Sequence, residues 1–196
     1  MRNIILLILV CLMIPNSFAT IERNIPELSF IETLWGVIFS PITEPIMEFY
    51  NLTQDKRKEV TCLADNIYFE SSGETEAGKI AVGLVTMNRV NSGMFPSTVC
   101  GVVKQKVKST CQFSWWCSET KRKTSLNKEK YFSSKETEIY NDIRNTAMDI
   151  YMNYKIIKDN TYGSLYFHAN YIDPKWGKNL KKTVSIGNHK FYSTRD

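Results

Sequence analysis

Residues 62–90, CLADNIYFESSGETEAGKIAVGLVTMNRV, carry two amphipathic patterns separated by a short break. Apolar side chains recur at helical spacing before the break, from Val60 to Tyr68, and again after it, from Ala77 to Val85. Between the two patterns, Ser71-Ser72-Gly73 is typical of a turn rather than of a helix interior. We therefore predict two helices, over about 59–70 and 76–90, joined by a tight connection.

Glu70 occupies the apolar face of the first predicted helix, at helical spacing from Leu63 and Ile67. Partial burial and the negative end of the helix dipole would both disfavour the charged carboxylate, and both would raise its pKa. A carboxyl group that stays protonated near neutral pH can act as a general acid. A glutamate at a helix end is, however, commonly a solvent-exposed residue, and the spacing alone leaves both interpretations open.

Seven short motifs follow one another along the chain: YFESSGE, AVGLVTMNRV, FPSTVCGVV, CQFSWWC, FHA, PKW and IGNHKFY. In this order they resemble the cell-wall hydrolase family that includes the SleB-type spore cortex-lytic enzymes. The resemblance runs from Cys62 to Tyr192, about two thirds of the chain. Ser71-Ser72 stands where many relatives have Ala-Arg, so an ion pair made by that arginine has no counterpart here.

The resemblance implies an α+β, mainly helical fold: a lysozyme-like (lytic transglycosylase-like) domain with a small antiparallel sheet near the C-terminus. It also implies that Glu70, the first glutamate of the Y-x-E-x-x-G-E motif, is catalytic and that Glu74 is the second carboxylate. A lytic transglycosylase cleaves peptidoglycan between N-acetylmuramic acid and N-acetylglucosamine with one glutamate as acid and then base. No metal or cofactor is expected.

Two alternatives remain open at this point. Glycoside hydrolysis ordinarily uses two carboxylates, so a hydrolytic muramidase would need Glu74 or an aspartate as the base beside Glu70. A non-catalytic cell-wall-binding protein would keep the fold and lose the chemistry, and the intact YFESSGE motif argues against it. Reaction products separate the two enzymes, because only the transglycosylase leaves a 1,6-anhydro end.

The segment between two cysteines in CQFSWWC combines aromatic and polar side chains: Gln112, Phe113, Ser114 and Trp115. An aromatic ring covers the C–H face of a sugar, while amide and hydroxyl groups bind its polar substituents. We therefore predict that this segment binds substrate. We expect either Phe113 or Trp115 to face the cleft and the other ring to be buried.

Three further residues are assigned to substrate binding by their place in the motifs: Tyr68, Glu74 and His168. Glu74 could instead support the structure around Glu70. Within the FHA motif, His168 would hydrogen-bond the substrate or orient Glu70. For His189, the other histidine of the chain, we expect a structural role.

At 196 residues the chain has room for one domain and an N-terminal extension. Residues 1–19 combine an early positive charge, a short apolar run and small residues, which predicts a signal peptide and export to the periplasm, cell envelope or exterior. We assign residues 20–58 to an extension, either a helix packed on the domain or a peripheral membrane contact. Residues 59–196 would form the catalytic domain.

Four cysteines would remain in the mature chain: Cys62, Cys100, Cys111 and Cys117. An even number in an exported protein predicts two disulfides, and the sequence leaves all three pairings open. We expect no metal site, because these cysteines lack paired C-x-x-C spacing and the chain has only two histidines.

The second half of the chain predicts one long helix followed by strands. Ser133-x-x-Glu136 is a capping box that would open a helix over about 133–155. Residues 163–169 alternate as in a strand, and residues 183–192 predict a hairpin that turns at Gly187-Asn188.

The formal net charge is +5, with lysine and arginine concentrated at 104–108, 121–130 and 175–182. A basic surface suits anionic polymers such as those of a cell wall. No nucleic-acid motif accompanies these charges, so we exclude nucleic acid as a partner. We expect a monomer that acts on peptidoglycan glycan strands.

Overall fold

The computed structural model describes residues 48–195. Within this range the fold is α+β and mainly helical, as predicted. The helices are α1 (Gln54–Ser71), α2 (Glu76–Asn91), α3 (Val99–Lys104), α4 (Ser114–Cys117), α5 (Glu119–Leu126), α6 (Lys128–Tyr131) and α7 (Ser134–Asn153), with a 3₁₀ helix at Lys175–Asn179. The strands are β1 (Lys106–Val107), β2 (Thr110–Cys111), β3 (Tyr166–Ala169), β4 (Lys181–Ile186) and β5 (His189–Ser193).

Helix α1 begins at Gln54, where Thr53 caps it by accepting a hydrogen bond from the backbone N–H of Lys56 at 3.4 Å. This start lies inside the segment 20–58 that the sequence assigned to an extension. Phe49 is also buried in the main core. The compact domain therefore includes Phe49 and all of α1, and the predicted boundary at residue 59 divides a helix.

Helices α1, α2 and α7 pack closely around Gly83 of α2. A Cβ atom at Gly83 would lie 2.6 Å from Ile150 Cδ1 and 3.0 Å from Ile67 Cδ1, closer than packed carbon atoms tolerate. The lack of a side chain at Gly83 thus allows the close approach of three core helices.

Helix α7 opens with the predicted capping box, in which Ser133 and Glu136 exchange hydrogen bonds.

A three-stranded antiparallel sheet, in the order β3-β5-β4, also packs on α2. Phe191 of β5 is fully buried against Ala81 and Val85. The β4–β5 hairpin turns at Gly187-Asn188, as predicted, and Gly187 adopts a φ of +54°, which favours glycine. Helix α2 therefore contacts both α1 and the sheet.

Two disulfides, Cys62–Cys100 and Cys111–Cys117, use the four cysteines expected in the mature chain. The first joins α1 to α3, and the second closes the loop that carries α4. The prediction of two disulfides is confirmed, and the structure supplies the pairing that the sequence left open.

The predicted signal peptide, residues 1–19, and residues 20–47 of the predicted extension lie outside the described residues. The membrane contact suggested for the extension therefore stays a prediction. Among the helices of residues 48–195, none combines the length and the hydropathy needed to cross a bilayer.

Candidate active site

Glu70 is the penultimate residue of α1 and is partly buried. Burial raises the pKa of its carboxyl group above the ordinary value for glutamate, while the positive charges of Lys121 and Arg89 act in the opposite direction. These cations come from α5 and α2, so three helices determine the electrostatics of this carboxyl group. Burial favours its protonated form, and the cations stabilise the carboxylate.

Arg89, near the end of α2, is a buried cation that the sequence analysis did not single out. Its Nε donates a hydrogen bond to Leu165 O at 2.7 Å. Its guanidinium lies 4.9 Å from the ring centroid of Phe113, 5.0 Å from that of Phe95 and 5.8 Å from that of Tyr166. Burial lowers its pKa to about 10, so it stays charged at neutral pH. The only sequence signal for this residue was its place in the AVGLVTMNRV motif.

Phe113 and Trp115 are both buried, with 3% and 2% of their surfaces exposed. The expectation that one of the two rings faces the cleft is therefore wrong. Trp115 is held inside by a hydrogen bond from its Nε1 to Asn66 Oδ1 at 2.9 Å. Its ring also stacks on Phe69, with 4.6 Å between the centroids.

Asn66 connects this loop to two helices through a buried hydrogen-bond network. Its Nδ2 donates to Thr86 Oγ1 at 3.1 Å, and the Thr86 hydroxyl donates to Val82 O at 3.1 Å. Such satisfied buried polar groups fix the relative positions of the elements that carry them. Because Asn66 lies about one helical turn before Glu70, the network supports the end of α1. Trp115 thus supports the helix that presents Glu70, whereas the sequence had suggested direct contact with sugar.

Three other residues predicted to bind substrate occupy different surroundings. Ser114 is exposed at the start of α4, and Gln112 is partly buried. Tyr68 is partly buried, and its ring lies 4.9 Å from that of Phe132 and 5.8 Å from that of Tyr140. Tyr68 therefore packs on one aromatic residue just before α7 and on another in the first half of that helix.

Glu74, in the connection between α1 and α2, holds the tip of the β4–β5 hairpin. Its two carboxylate oxygens accept hydrogen bonds from the backbone N–H and the Nδ2 of Asn188, both at 3.0 Å. His189 Nδ1 lies 3.9 Å from Oε1, and a Cβ at Gly187 would collide with Oε2. Burial raises the pKa of Glu74, but the bonds from Asn188 and the nearby His189 outweigh it, and the net result is a lowered pKa.

His168 of β3 is buried, and both of its ring nitrogens are engaged. Nδ1 donates to Ala169 O at 2.8 Å, and Nε2 accepts from the hydroxyl of Tyr192 at 2.9 Å. His168 therefore does not orient Glu70 through a hydrogen bond, contrary to one of its two predicted roles. His189 is buried as well, and burial lowers its pKa. Within residues 48–195 no cluster of His, Cys, Asp and Glu could hold a metal ion.

Four side chains form an aromatic surface on the face of the sheet opposite Phe191: Tyr166, His168, Trp176 and Tyr192. The ring of Trp176, from the 3₁₀ helix, lies between 5.5 and 6.0 Å from the other three rings. Trp176 is 40% exposed, and Tyr166 lies under the guanidinium of Arg89. Arg89, one of the two cations that act to lower the pKa of Glu70, therefore also contacts the aromatic surface. Trp176 entered the sequence interpretation only as part of the PKW motif, and its place on this surface was not predicted.

The family model described as Cell Wall Hydrolase matches residues 73–192, more than half of the chain. Glu70 lies just before this match. The spore cortex-lytic enzyme of Bacillus subtilis (strain 168) is 30% identical over 86 residues, which cover 42% of this chain and 28% of that protein. The spore cortex-lytic enzyme of Oceanobacillus iheyensis is 40% identical over 47 residues, 24% of this chain and 17% of that protein. The matched segments thus span less than a third of these relatives.

A solved structure covers more of the chain. The catalytic domain of the germination-specific lytic transglycosylase SleB from Bacillus anthracis has a TM-score of 0.50 and 25% sequence identity. The match covers 73% of this chain and 98% of that chain. This similarity agrees with the predicted fold, and with the family model it shows that the chain belongs to the cell wall hydrolase family.

Proposed function

We propose that this protein cleaves the glycan strand of peptidoglycan between N-acetylmuramic acid and N-acetylglucosamine as a lytic transglycosylase, with Glu70 as the single acid and base. The observation that supports this proposal is the partial burial of Glu70. Burial raises the pKa of its carboxyl group, and the positive charges of Lys121 and Arg89 act to lower that pKa. Family membership supports the substrate class. Peptidoglycan lies outside the cytoplasm, so the activity requires export, which the predicted signal peptide would provide.

The first step is proton transfer from Glu70 to the glycosidic oxygen. As the bond between this oxygen and C1 of N-acetylmuramic acid breaks, N-acetylglucosamine leaves with a free 4-hydroxyl group. The Glu70 carboxylate then takes the proton of the muramic C6 hydroxyl while that oxygen bonds to C1. A 1,6-anhydro ring forms, and Glu70 is protonated again. Because the nucleophile belongs to the same sugar, its effective concentration is high and no water need be positioned.

This cycle requires both protonation states of Glu70 to be accessible. Burial favours the acid that starts the reaction, and the cations Lys121 and Arg89 favour the carboxylate formed after proton transfer. A single group that is balanced in this way can serve as acid and as base.

The second carboxylate of the motif is already engaged, which favours the single-glutamate mechanism. Hydrolases that use two carboxylates need the second one free to activate water or to attack C1. Both oxygens of Glu74 bind Asn188 instead. This arrangement suits a structural carboxylate that holds the hairpin.

The aromatic surface supplies the contact area that the buried CQFSWWC rings do not. Trp176 is the most exposed of the four residues of this surface, and its ring packs against the rings of Tyr166 and Tyr192. Its ring can cover the apolar face of a sugar of the bound glycan. We assign Trp176 to glycan binding in this proposal.

The test is mass spectrometry of the soluble fragments released from purified peptidoglycan by wild type, Glu70→Gln and Glu74→Gln. We expect anhydromuramyl products from wild type and from Glu74→Gln, and none from Glu70→Gln. Release of these products by Glu70→Gln at the wild-type rate would overturn the assignment. Reducing muramyl ends from wild type would instead identify a hydrolase.

A further inference from the structure

A basic pocket lies beside α1, between that helix and the segment that carries α4 and α5. It has a volume of about 400 Å³. The residues that matter for its chemistry are Lys58, Thr61, Asp65, Lys104, Trp116 and Lys128. Neither the family resemblance nor the proposed mechanism assigns a role to this basic pocket.

The basic pocket contains two exposed lysines, Lys58 and Lys104, that form no salt bridge with any described residue. Asp65 pairs with Lys128 at 2.7 Å, and its oxygens also accept hydrogen bonds from Ser125 and Tyr140. This carboxylate is therefore fully used by its own neighbours. Within residues 48–195, neither Lys58 nor Lys104 pairs with a carboxylate.

The ammonium group of Lys104 is held by an aromatic ring. Its Nζ lies 5.2 Å from the ring centroid of Trp116, a cation–π contact that restrains a flexible side chain. Trp116 is partly buried, and Arg122 lies on the same ring at 5.9 Å. The pocket thus presents oriented positive charge beside apolar surface, which suits an organic anion that carries carboxylates.

The basic pocket and Glu70 lie along the same helix. Lys58, Thr61 and Asp65 recur at helical spacing on one face of α1, and that face continues to Phe69, next to Glu70. At a rise of about 1.5 Å per residue, Asp65 lies roughly 8 Å and Thr61 roughly 14 Å from Glu70 along the helix axis. Trp115 connects the two regions, because it lines the pocket and stacks on Phe69.

We propose that the basic pocket binds the carboxylates of the peptide stem borne by the N-acetylmuramic acid at the cleavage point. This inference rests on the proposed function, because the stem is attached to the same sugar whose C1 reacts at Glu70. An extended peptide of three or four residues spans roughly 10 to 14 Å from Glu70, which reaches the level of Thr61, one helical turn from Lys58 at roughly 18 Å. Lys58 and Lys104 pair with the stem carboxylates, so the enzyme prefers glycan that still carries its stems.

The test compares two substrates and three proteins. Glycan strands with intact stems and strands stripped of their stems by an amidase are cleaved by wild type, by Lys58→Gln/Lys104→Gln and by Lys135→Gln/Lys155→Gln. The last variant removes the same charge from exposed positions on and after α7 and is the matched control. We expect wild type and control to have a KM about fivefold to tenfold lower for intact than for stripped strands, and the pocket variant to lose this difference with kcat unchanged.

Equal KM values for both substrates with wild type would overturn the proposal. An equal loss in the pocket variant and in the control would also overturn it, since that result reflects net charge alone. A soluble glycerol phosphate polymer that inhibits wild type but not the pocket variant, with intact and stripped strands cleaved alike, would assign the pocket to phosphodiesters instead. If wild type cleaves neither substrate, the proposed function fails. The pocket is then judged by calorimetric titration with a soluble muramyl tetrapeptide, which must bind wild type more tightly than the pocket variant.

Discussion

Glu70 and Glu74 belong to one short motif, yet they lie in regions with opposite electrostatics. At the end of α1, burial raises the pKa of Glu70. In the connection that follows, hydrogen bonds from Asn188 lower the pKa of Glu74. In the proposed mechanism the first carboxyl group accepts and releases a proton, whereas the second stays ionised at neutral pH and holds the hairpin. Partners contributed by distant segments, rather than motif membership, therefore determine what each carboxyl group can do.

The largest expected effect separates the two carboxyl groups by activity. Glu70→Gln removes the transferable proton and should lower kcat by roughly 10²- to 10⁴-fold, the usual contribution of general acid–base catalysis. Glu74→Gln keeps one oxygen acceptor for Asn188 and should lower kcat by less than about tenfold, because its effect on the reaction is indirect. Turbidity loss of purified cell walls, with circular dichroism to verify folding, measures both. Equal losses in the two variants would remove the distinction.

Arg89 acts on the charge state of Glu70 from a different helix, α2. Arg89→Met removes a positive charge that lowers the pKa of Glu70, so this pKa should rise further. Because the proposed cycle starts from protonated Glu70, the alkaline limb of the pH profile of kcat/KM should move to higher pH by about 1 unit.

Arg89→Lys is the matched control for this shift. It keeps the charge and loses the hydrogen bond to Leu165, so its pH profile should stay close to that of wild type while its stability falls. A profile that moves equally in both variants would assign the effect to packing against Phe113 and not to charge.

The contribution of Glu74 to the β4–β5 hairpin can be measured as a change in stability. Glu74→Ala removes both hydrogen bonds to Asn188 and should lower the free energy of unfolding by roughly 1 to 3 kcal/mol at neutral pH. Because the folded-state pKa of Glu74 is lowered, this contribution is present above pH 4.5 and is lost as pH falls through the lowered pKa. Urea unfolding at several pH values measures it.

Glu76→Ala is the matched control for that experiment. Glu76 is more exposed, and its pair with Lys79 at 3.5 Å and its hydrogen bond from Thr146 at 2.7 Å are both solvent-exposed, so its removal should change the unfolding free energy by less than about 1 kcal/mol. A double-mutant cycle of Glu74→Ala with Asn188→Ala should show coupling. Additive losses of unfolding free energy would mean that the interaction between Glu74 and Asn188 does not itself stabilise the hairpin.

The parts of the fold that sequence predicted rest on local signals. The α1 and α2 periodicities, the Ser133–Glu136 capping box and the Gly187-Asn188 turn each depend on residues close together in the chain. The position of Glu70 at a helix end follows from the same local pattern. Local spacing sets the helical face and the turn type, so these predictions needed no tertiary information.

The parts that sequence missed depend on long-range partners. Trp115 is buried because Asn66, far away in the chain, accepts its indole hydrogen bond, and no local pattern encodes that contact. The same holds for Arg89 with Leu165 and for the pairing of the disulfides. Trp176 joins the aromatic surface through a short 3₁₀ helix whose sequence gave no periodic signal.

The smallest expected effect concerns the stability contribution of Glu70 itself. The folded protein binds the Glu70 proton more tightly than the unfolded chain, because burial raises the folded-state pKa. Wild type therefore loses stability as pH rises from 4.5 through the raised pKa, where burial of the carboxylate becomes unfavourable. Glu70→Gln resembles the protonated form at every pH. It should unfold at a higher temperature than wild type near pH 7, and the difference should shrink as pH falls toward 4. Calorimetry across this range measures the difference. A Glu70→Gln variant that is less stable than wild type at pH 7 would mean that the cations Lys121 and Arg89 outweigh burial, which would also undermine the role of Glu70 as an acid.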